Sequence, residues 1–174
     1  MIQEVWTIGH STRTIEELVL TLESERIEVV VDVRRFPGSR RLPQFGAERL
    51  RDSLEASGIA YRWIAALGGR RRPSSASASL AWRNAAFGAY AEYLETEEFA
   101  QGLEELLMLA GGVRTVIMCA EILWWRCHRR LIADVLVSLG VDVVHLTTPG
   151  KGDRHRLSPP ARLEDGRLTY RSES

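Results

Sequence analysis

The chain has 174 residues, 45% of them hydrophobic, which suits one domain over 1–174 with a sizeable core. The formal net charge is zero, which excludes a global field that would attract nucleic acid or membranes. The N-terminus lacks a signal-peptide pattern, no apolar run approaches the ~20 residues of a membrane span, and two cysteines make no disulfide framework. We therefore expect a cytoplasmic protein with no membrane partner.

The first part of the chain alternates strand and helix patterns. Residues 4–9 predict a strand, and Thr14 with Glu17 forms a capping box that begins a helix. Residues 27–33 are largely apolar and β-branched, which is typical of a strand buried on both faces. A second helix is predicted to end at Gly58, and a short third strand follows it.

The rest of the chain continues this alternation. The predicted elements are a mobile loop over 68–83, helices over 87–94 and 97–107, a strand over 113–119, a helix over 126–139, a strand over 141–146 and a C-terminal extension over 150–174 with an Asp-Gly hairpin. Such alternation predicts an α/β fold with three layers: a mainly parallel sheet flanked by helices, with a small C-terminal hairpin.

Polar residues follow three of the predicted strands. The segments are His10–Ser11, Asp32–Arg34 and Cys119–Glu121. In parallel sheets, ligands bind beyond the carboxyl ends of the strands, so these segments are expected to form a binding site.

The helix predicted after Cys119 begins with cations instead of the acidic residues that a helix N-terminus favours. These cations are Arg126, His128, Arg129 and Arg130. Each is unfavourable there by about 0.3–1 kcal/mol, so a negative group should compensate. That group is either an internal carboxylate, Glu121 or Asp32, or a bound anion such as phosphate. In the second case Arg34, Ser11 and Cys119 also belong to the anion site.

Cys127 lies among these cations, so its thiol should have a lowered pKa. Its role is either packing within an anion site or nucleophilic catalysis, whereas Cys119 ends a buried strand and resembles an inert small hydrophobe. A cysteine-phosphatase loop is disfavoured because Trp125 stands where its arginine is needed. Cys119, Cys127, His128 and His10 match no standard zinc spacing, so we predict no metal and no cofactor.

Two carboxylates, Asp32 and Glu121, end predicted strands and are candidates for an acid and base pair, as in glycosidic or N-glycosidic hydrolysis. The alternative is that they form salt bridges with Arg34 and Arg129. His10 is a further acid/base candidate, although lone histidines more often pack through hydrogen bonds.

The motifs along nearly the whole chain resemble the prokaryotic family called domain of unknown function 488. The matching segments are Thr7–Ser11, Asp32–Arg34, Ser39–Arg40, Gln44–Phe45, Leu67–Gly69, Trp82–Asn84, Cys119–Glu121, Cys127–Arg129 and His155–Leu157. The resemblance implies an α/β fold and supplies no established activity.

Three functions remain open at this stage. The preferred one is an enzyme that binds a small phosphorylated molecule, such as a nucleotide, or a nucleic-acid end. Hydrolysis is one reaction that such an enzyme would catalyse. The second is a non-catalytic nucleic-acid module in which Trp82 and Tyr90 stack on bases. The third is a thiol-based redox or sensor protein that uses Cys119 and Cys127, and it requires their Cα atoms to lie within ~7 Å.

Overall fold

A computed structural model describes residues 2, 4–72 and 82–170 of the chain. Within these residues there are five α-helices and eight β-strands. In chain order they are β1 (Glu4–Gly9), α1 (Ile15–Ser24), β2 (Val29–Asp32), α2 (Ala47–Ala56), β3 (Ala60–Trp63), α3 (Ala85–Tyr93), α4 (Glu97–Gly112), β4 (Thr115–Cys119), α5 (Arg129–Ser138), β5 (Asp142–Thr148), β6 (Lys151–Arg154), β7 (Ala161–Glu164) and β8 (Arg167–Tyr170).

Six strands form one sheet in the order β3-β2-β4-β1-β5-β6, and β7 and β8 form a separate antiparallel pair. The first five strands of the large sheet are parallel, and β6 is antiparallel to β5. The central strands are buried on both faces, as expected for a parallel sheet covered by helices.

Successive residues of the central strands contribute to two different cores because side chains alternate across a sheet. On β4, Val116 and Met118 pack with residues of α1 and α2, whereas Ile117 and Cys119 pack with residues of α3, α4 and α5. The sheet therefore lies between two helical layers, which confirms the predicted three-layer α/β fold.

The strand order places a crevice between β1 and β4. The connection after β1 runs through α1 to β2, on one side of this pair, and the connection after β4 runs through α5 to β5, on the other side. Neighbouring strands whose connections leave in opposite directions mark the topological switch point, where α/β proteins bind ligands. The segments that follow β1 and β4 are His10–Ser11 and Ala120–Glu121.

Local sequence signals account for several element ends. The Thr14 side chain accepts a hydrogen bond from the Glu17 amide and caps α1. Asp165 and Gly166 both have positive φ angles, 51° and 77°, as a tight turn between β7 and β8 requires. The predicted C-terminal hairpin is thereby confirmed.

Other details differ from the sequence-based prediction. Strand β6 was not predicted, because its residues are polar and exposed and pair only through the hairpin with β5. Helix α5 begins at Arg129 instead of residue 126, because residues 124–126 form a separate 3-10 turn. The predicted mobile loop over 68–83 falls largely outside the described residues, and a single domain over 1–174 stays a prediction. None of the helices in the described ranges has the length and apolar character needed to cross a bilayer.

Candidate functional site

A cleft of about 850 Å³ opens at the carboxyl ends of β1 and β4. Its walls include six arginines, namely Arg34, Arg35, Arg40, Arg41, Arg70 and Arg126. Glu121 is the one carboxylate among the described residues that line it. The cleft is therefore strongly cationic, although the chain as a whole is neutral.

Main-chain hydrogen bonds hold the floor of the cleft together beyond the ends of the strands. The His10 amide donates to the Cys119 carbonyl (2.9 Å), and the Ser11 amide donates to the Ala120 carbonyl (3.0 Å). Ser11 has a φ of 46°, a left-handed conformation that costs a residue with a Cβ about 1–2 kcal/mol. Its hydroxyl has no partner within the described part of the chain and lines the cleft.

Cys127 lies two residues before α5 and lines the cleft. Its Sγ accepts a hydrogen bond from the Arg129 amide (3.5 Å) and lies 3.4 Å from Nδ1 of His128. Nε2 of His128 lies 2.8 Å from the Val33 carbonyl, which can only accept, so Nε2 carries a proton. Nδ1 is therefore free to receive the thiol proton or, in imidazolium, to donate to a thiolate.

The surroundings of Cys127 stabilise its charged form. Burial alone would raise the pKa of Cys127, but the hydrogen bond with Cys119 and the charges of His128 and Arg129 lower the pKa well below its ordinary value. The Sγ atoms of Cys119 and Cys127 are 2.8 Å apart, and both cysteines are free and buried. Burial, together with the neighbouring Cys127, raises the pKa of Cys119 well above its ordinary value.

Asp32 does not line the cleft. It is fully buried, pairs with the Arg34 guanidinium at 2.7 Å and accepts a hydrogen bond from the Tyr61 hydroxyl at 2.5 Å. The Arg34 amide also donates to it. The carboxylate is thus saturated within the protein and orients Arg34, which also donates to the Phe45 carbonyl and reaches the cleft wall.

His10 lines the cleft but its ring is already occupied. Nδ1 lies 3.0 Å from the Ser11 carbonyl and Nε2 lies 3.4 Å from Arg34, so Nδ1 donates and Nε2 accepts. The ring also stacks on Phe45 with a centroid distance of 4.3 Å. Burial and the charge of Arg34 lower the pKa of His10, against the opposing effects of the Ser11 carbonyl and Asp32. The geometry is that of a neutral, hydrogen-bonded histidine.

The predicted pairing of Glu121 with Arg129 involves the main chain and not the carboxylate. Arg129 is fully buried and donates to the carbonyl oxygens of Glu121 (2.6 Å) and Ile122 (3.3 Å). The Glu121 side chain is exposed at the rim of the cleft and accepts from the Leu123 amide. Arg129 therefore shapes the wall behind the cleft and does not line it.

A buried chain of hydrogen bonds leads from Arg129 to a distant carboxylate. Arg129 donates to the Thr7 hydroxyl (3.1 Å), which contacts Nδ1 of His145 (2.6 Å). Nε2 of His145 lies 2.9 Å from Nδ1 of His155, whose Nε2 lies 2.8 Å from Asp134. Because a carboxylate can only accept, Nε2 of His155 donates to Asp134 at the far end of this chain.

Sequence reasoning missed this relay. Trp124 stacks on His145 with a centroid distance of 4.2 Å, and burial with the charges of His155 and Arg129 lowers the pKa of His145 to about 2. The Asp134 carboxylate also accepts from the Tyr170 hydroxyl. The relay joins α5 to β5 and to the C-terminal hairpin, and only the fold brings these segments together.

Arg130 and Trp82 do not line the cleft, whereas Tyr90 lines it as a buried residue. Arg130 donates to Ser158 and lies over the Trp82 ring, 5.0 Å from its centroid. Trp82 and Tyr90 are buried members of the core, and the Tyr90 hydroxyl donates to the Leu67 carbonyl. The exposed aromatic side chain on the cleft wall is instead Phe36, beside Arg35.

The structure therefore gathers some of the predicted site residues and separates others. His10, Ser11, Arg34, Cys119, Glu121, Cys127 and His128 line the cleft, whereas Asp32, Arg129 and Arg130 do not. The loop arginines Arg40, Arg41 and Arg70 are also on its walls. Within the described ranges, no three His, Cys, Asp or Glu side chains are grouped as metal ligands would be.

Comparison with known proteins adds a family and no activity. Neither the curated proteins nor the solved structures include a match to this chain. A family model described as Domain of unknown function DUF488 matches residues 14–136, which include α1, the cleft-lining arginines and the Cys127–His128 pair. The chain therefore belongs to the DUF488 family of domains of unknown function.

Proposed function

We propose that the protein is an enzyme that binds a phosphate-bearing substrate, a nucleotide or a nucleic-acid end, in the arginine-lined cleft and uses Cys127 as its nucleophile. The observation that carries this proposal is that Cys127, whose Sγ accepts from the Arg129 amide and adjoins His128, lines a cleft together with six arginines and one carboxylate. A nucleophile and an anion-binding surface thus share one cavity.

The arginines differ in their freedom to bind an anion. Arg34 is committed to Asp32, and Arg35 donates to the Arg70 carbonyl. The guanidinium groups of Arg40, Arg41 and Arg126 are exposed and have no protein partner among the described residues. Arginine binds phosphate through two parallel N–H groups, so these free guanidinium groups are the expected anion ligands.

The aromatic side chain of Phe36 favours a substrate that carries a base. Phe36 is 64% exposed on the cleft wall, although burial would be the favourable state for such a ring. A nucleobase stacked on it would cover this apolar surface, and such stacking is worth about 1–3 kcal/mol per base. Phosphate groups would then lie toward the arginines.

The chemical roles follow from the contacts of the sulfur. The Cys127 thiolate attacks an electrophilic centre of the bound substrate, and the protonated His128 delivers a proton from Nδ1 to the leaving group. Attack of water on the covalent intermediate, with His128 as the base, completes a hydrolysis. Glu121 at the rim is the remaining candidate for an acid or base.

Protection of Cys127 from alkylation tests the binding part of this proposal. Iodoacetamide should modify Cys127 at neutral pH, and pyrophosphate or a 5′-phosphorylated oligonucleotide should slow the reaction at constant ionic strength. The double variant Arg40→Ala/Arg41→Ala should need at least about tenfold more anion, since a charge-assisted hydrogen bond contributes about 1.5–3 kcal/mol. Arg49→Ala, on the exposed surface of α2, is the matched control and should behave as the wild type.

Turnover tests the catalytic part. A mixture of nucleotides and short oligonucleotides is incubated with the wild type or with Cys127→Ala, and products are followed by mass spectrometry. Product that depends on Cys127 supports an enzyme. Anion protection without any Cys127-dependent product would instead favour the non-catalytic binding module. Absence of anion protection would contradict both the enzyme and the binding module.

A further inference from the structure

The two cysteines of the chain meet at the base of the cleft. Cys119 ends β4 and Cys127 immediately precedes the N-cap residue of α5, so the fold brings two sulfurs eight residues apart in sequence to 2.8 Å. A disulfide has a sulfur–sulfur distance of about 2.05 Å, so less than about 1 Å of approach separates the two states. Nothing in the proposed nucleophilic mechanism requires the second sulfur.

The two sulfurs are chemically unequal. Cys127 receives the Arg129 amide and adjoins His128, and these contacts stabilise a thiolate. The Cys119 sulfur lies 3.6 Å from the Glu121 carbonyl oxygen. This oxygen can accept a hydrogen bond from the Cys119 thiol, but it does not stabilise a Cys119 thiolate. A thiolate beside a protonated thiol is the arrangement in which the first sulfur reacts with an oxidant and the second resolves the product.

Access to the sulfurs is narrow. Cys119 is 3% exposed and Cys127 is 6% exposed, although both line the cleft. A small hydroperoxide fits such an approach better than a bulky thiol or disulfide does. We infer that Cys127 is a site of oxidation by hydroperoxides and that Cys119 converts the oxidised residue into a reversible intramolecular disulfide.

The oxidation of Cys127 to the disulfide proceeds in two steps. The Cys127 thiolate attacks the terminal peroxide oxygen, a sulfur–oxygen bond forms, and the oxygen–oxygen bond breaks. The departing alkoxide or hydroxide takes a proton from His128, so Cys127 becomes a sulfenic acid and the peroxide is reduced to an alcohol or water. Cys119 sulfur then attacks Cys127 Sγ; the sulfur–sulfur bond forms and the hydroxide that leaves takes the Cys119 proton as water.

The disulfide removes the nucleophile of the proposed enzyme and so switches it off until a dithiol reduces it. The inference shares Cys127 with the proposed function, but it does not depend on anion binding. The oxidation reactions use only the two sulfurs, their neighbours and the peroxide.

Mass spectrometry of the full-length protein tests this inference. The reduced wild type is treated with hydrogen peroxide in the presence of dimedone, and free thiols are then alkylated. We expect the wild type to lose two hydrogens, to lose alkylation at both cysteines, to form no dimedone adduct and to recover both thiols with dithiothreitol. Cys119→Ser and Cys119→Ala should instead accumulate the dimedone adduct at Cys127, and Cys127→Ser should not react.

Each other result overturns the inference. A stable dimedone adduct or a sulfinic acid on Cys127 of the wild type would show that Cys119 does not resolve the oxidised residue. Disulfides between two protein copies, or no reaction with peroxide, would also contradict it. Thermal unfolding of the Cys119 variants verifies that they fold. A disulfide without anion protection of Cys127 refutes only the proposed function, and protection without a disulfide refutes only this inference.

Discussion

Arg129 is fully buried, and its guanidinium donates a hydrogen bond to the main-chain oxygen of Glu121 at 2.6 Å. It also donates to the Ile122 carbonyl and to Thr7, and it pairs with no carboxylate in the described part of the chain. The cation at the start of α5 is thereby held by main-chain dipoles and by the hydroxyl that begins the relay to Asp134. Its positive charge also lowers the pKa of Cys127.

Replacement of this arginine should destabilise the protein. Arg129→Ala leaves a cavity and unpaired acceptors, so we expect the free energy of unfolding to fall by about 2–4 kcal/mol in urea denaturation. The alkylation of Cys127 should also require a higher pH, because a charge that favours the thiolate is lost. Arg49→Ala, an exposed residue of α2, should change stability by less than about 0.5 kcal/mol. Equal stability of the two variants would contradict the role assigned to Arg129.

The pH dependence of stability should report on His145. Its folded-state pKa of about 2 lies below the ordinary value of 6.5, so the unfolded chain binds a proton that the folded chain does not. The stability that this histidine provides is therefore complete above pH 6.5 and is lost as the pH falls toward 2. One pKa unit corresponds to about 1.4 kcal/mol, so the loss by about pH 4.5 should be roughly 2–3 kcal/mol.

The variant His145→Gln isolates this contribution. Denaturation curves of the wild type and the variant are compared at pH 7 and at about pH 4.5. The variant is expected to be less stable at pH 7 and to lose less stability on acidification. Parallel losses in the two proteins would show that His145 is not held neutral by the fold.

Asp32 is expected to stabilise the folded protein and not to act as a catalytic acid or base. Asp32→Asn removes the buried partner of Arg34 and should cost about 3–5 kcal/mol, because an uncompensated buried charge remains. Tyr61→Phe removes one hydrogen bond to the same carboxylate and should cost about 1 kcal/mol. The measurement is urea denaturation at pH 7. A fully stable Asp32→Asn variant that has lost turnover would instead assign Asp32 a catalytic role.

Gly9 allows β1 to approach the segment that follows β4. A Cβ at this position would overlap the main-chain oxygen of Glu121, which is the acceptor of Arg129. Gly9→Ala should therefore lower thermal stability by about 1–3 kcal/mol and disturb the reactivity of Cys127. Gly112→Ala is the matched control: no atom lies within 4 Å of its Cβ, and alanine in a helix should be neutral or stabilising. Similar melting temperatures for the two variants would contradict the close approach.

Much of the architecture follows from local sequence patterns. The capping box at Thr14, the apolar strands and the Asp165–Gly166 turn each depend on neighbouring residues, so periodicity and turn chemistry predict them. Strand β6 could not be predicted, because its exposed polar residues gain their hydrogen bonds only from β5. The predicted start of α5 at residue 126 was too early, because residues 124–126 form a tighter 3-10 turn before the helix.

The sequence by itself determined that polar residues follow the strands and that cations surround Cys127. Only the tertiary structure decided which of these groups face the cleft, because side-chain direction depends on packing between distant segments. It buried Arg129, saturated Asp32 with Arg34 and brought the loop arginines Arg40 and Arg41 to the cleft wall. It also joined His145, from the last parallel strand, to α5, a relationship that no sequence spacing contains.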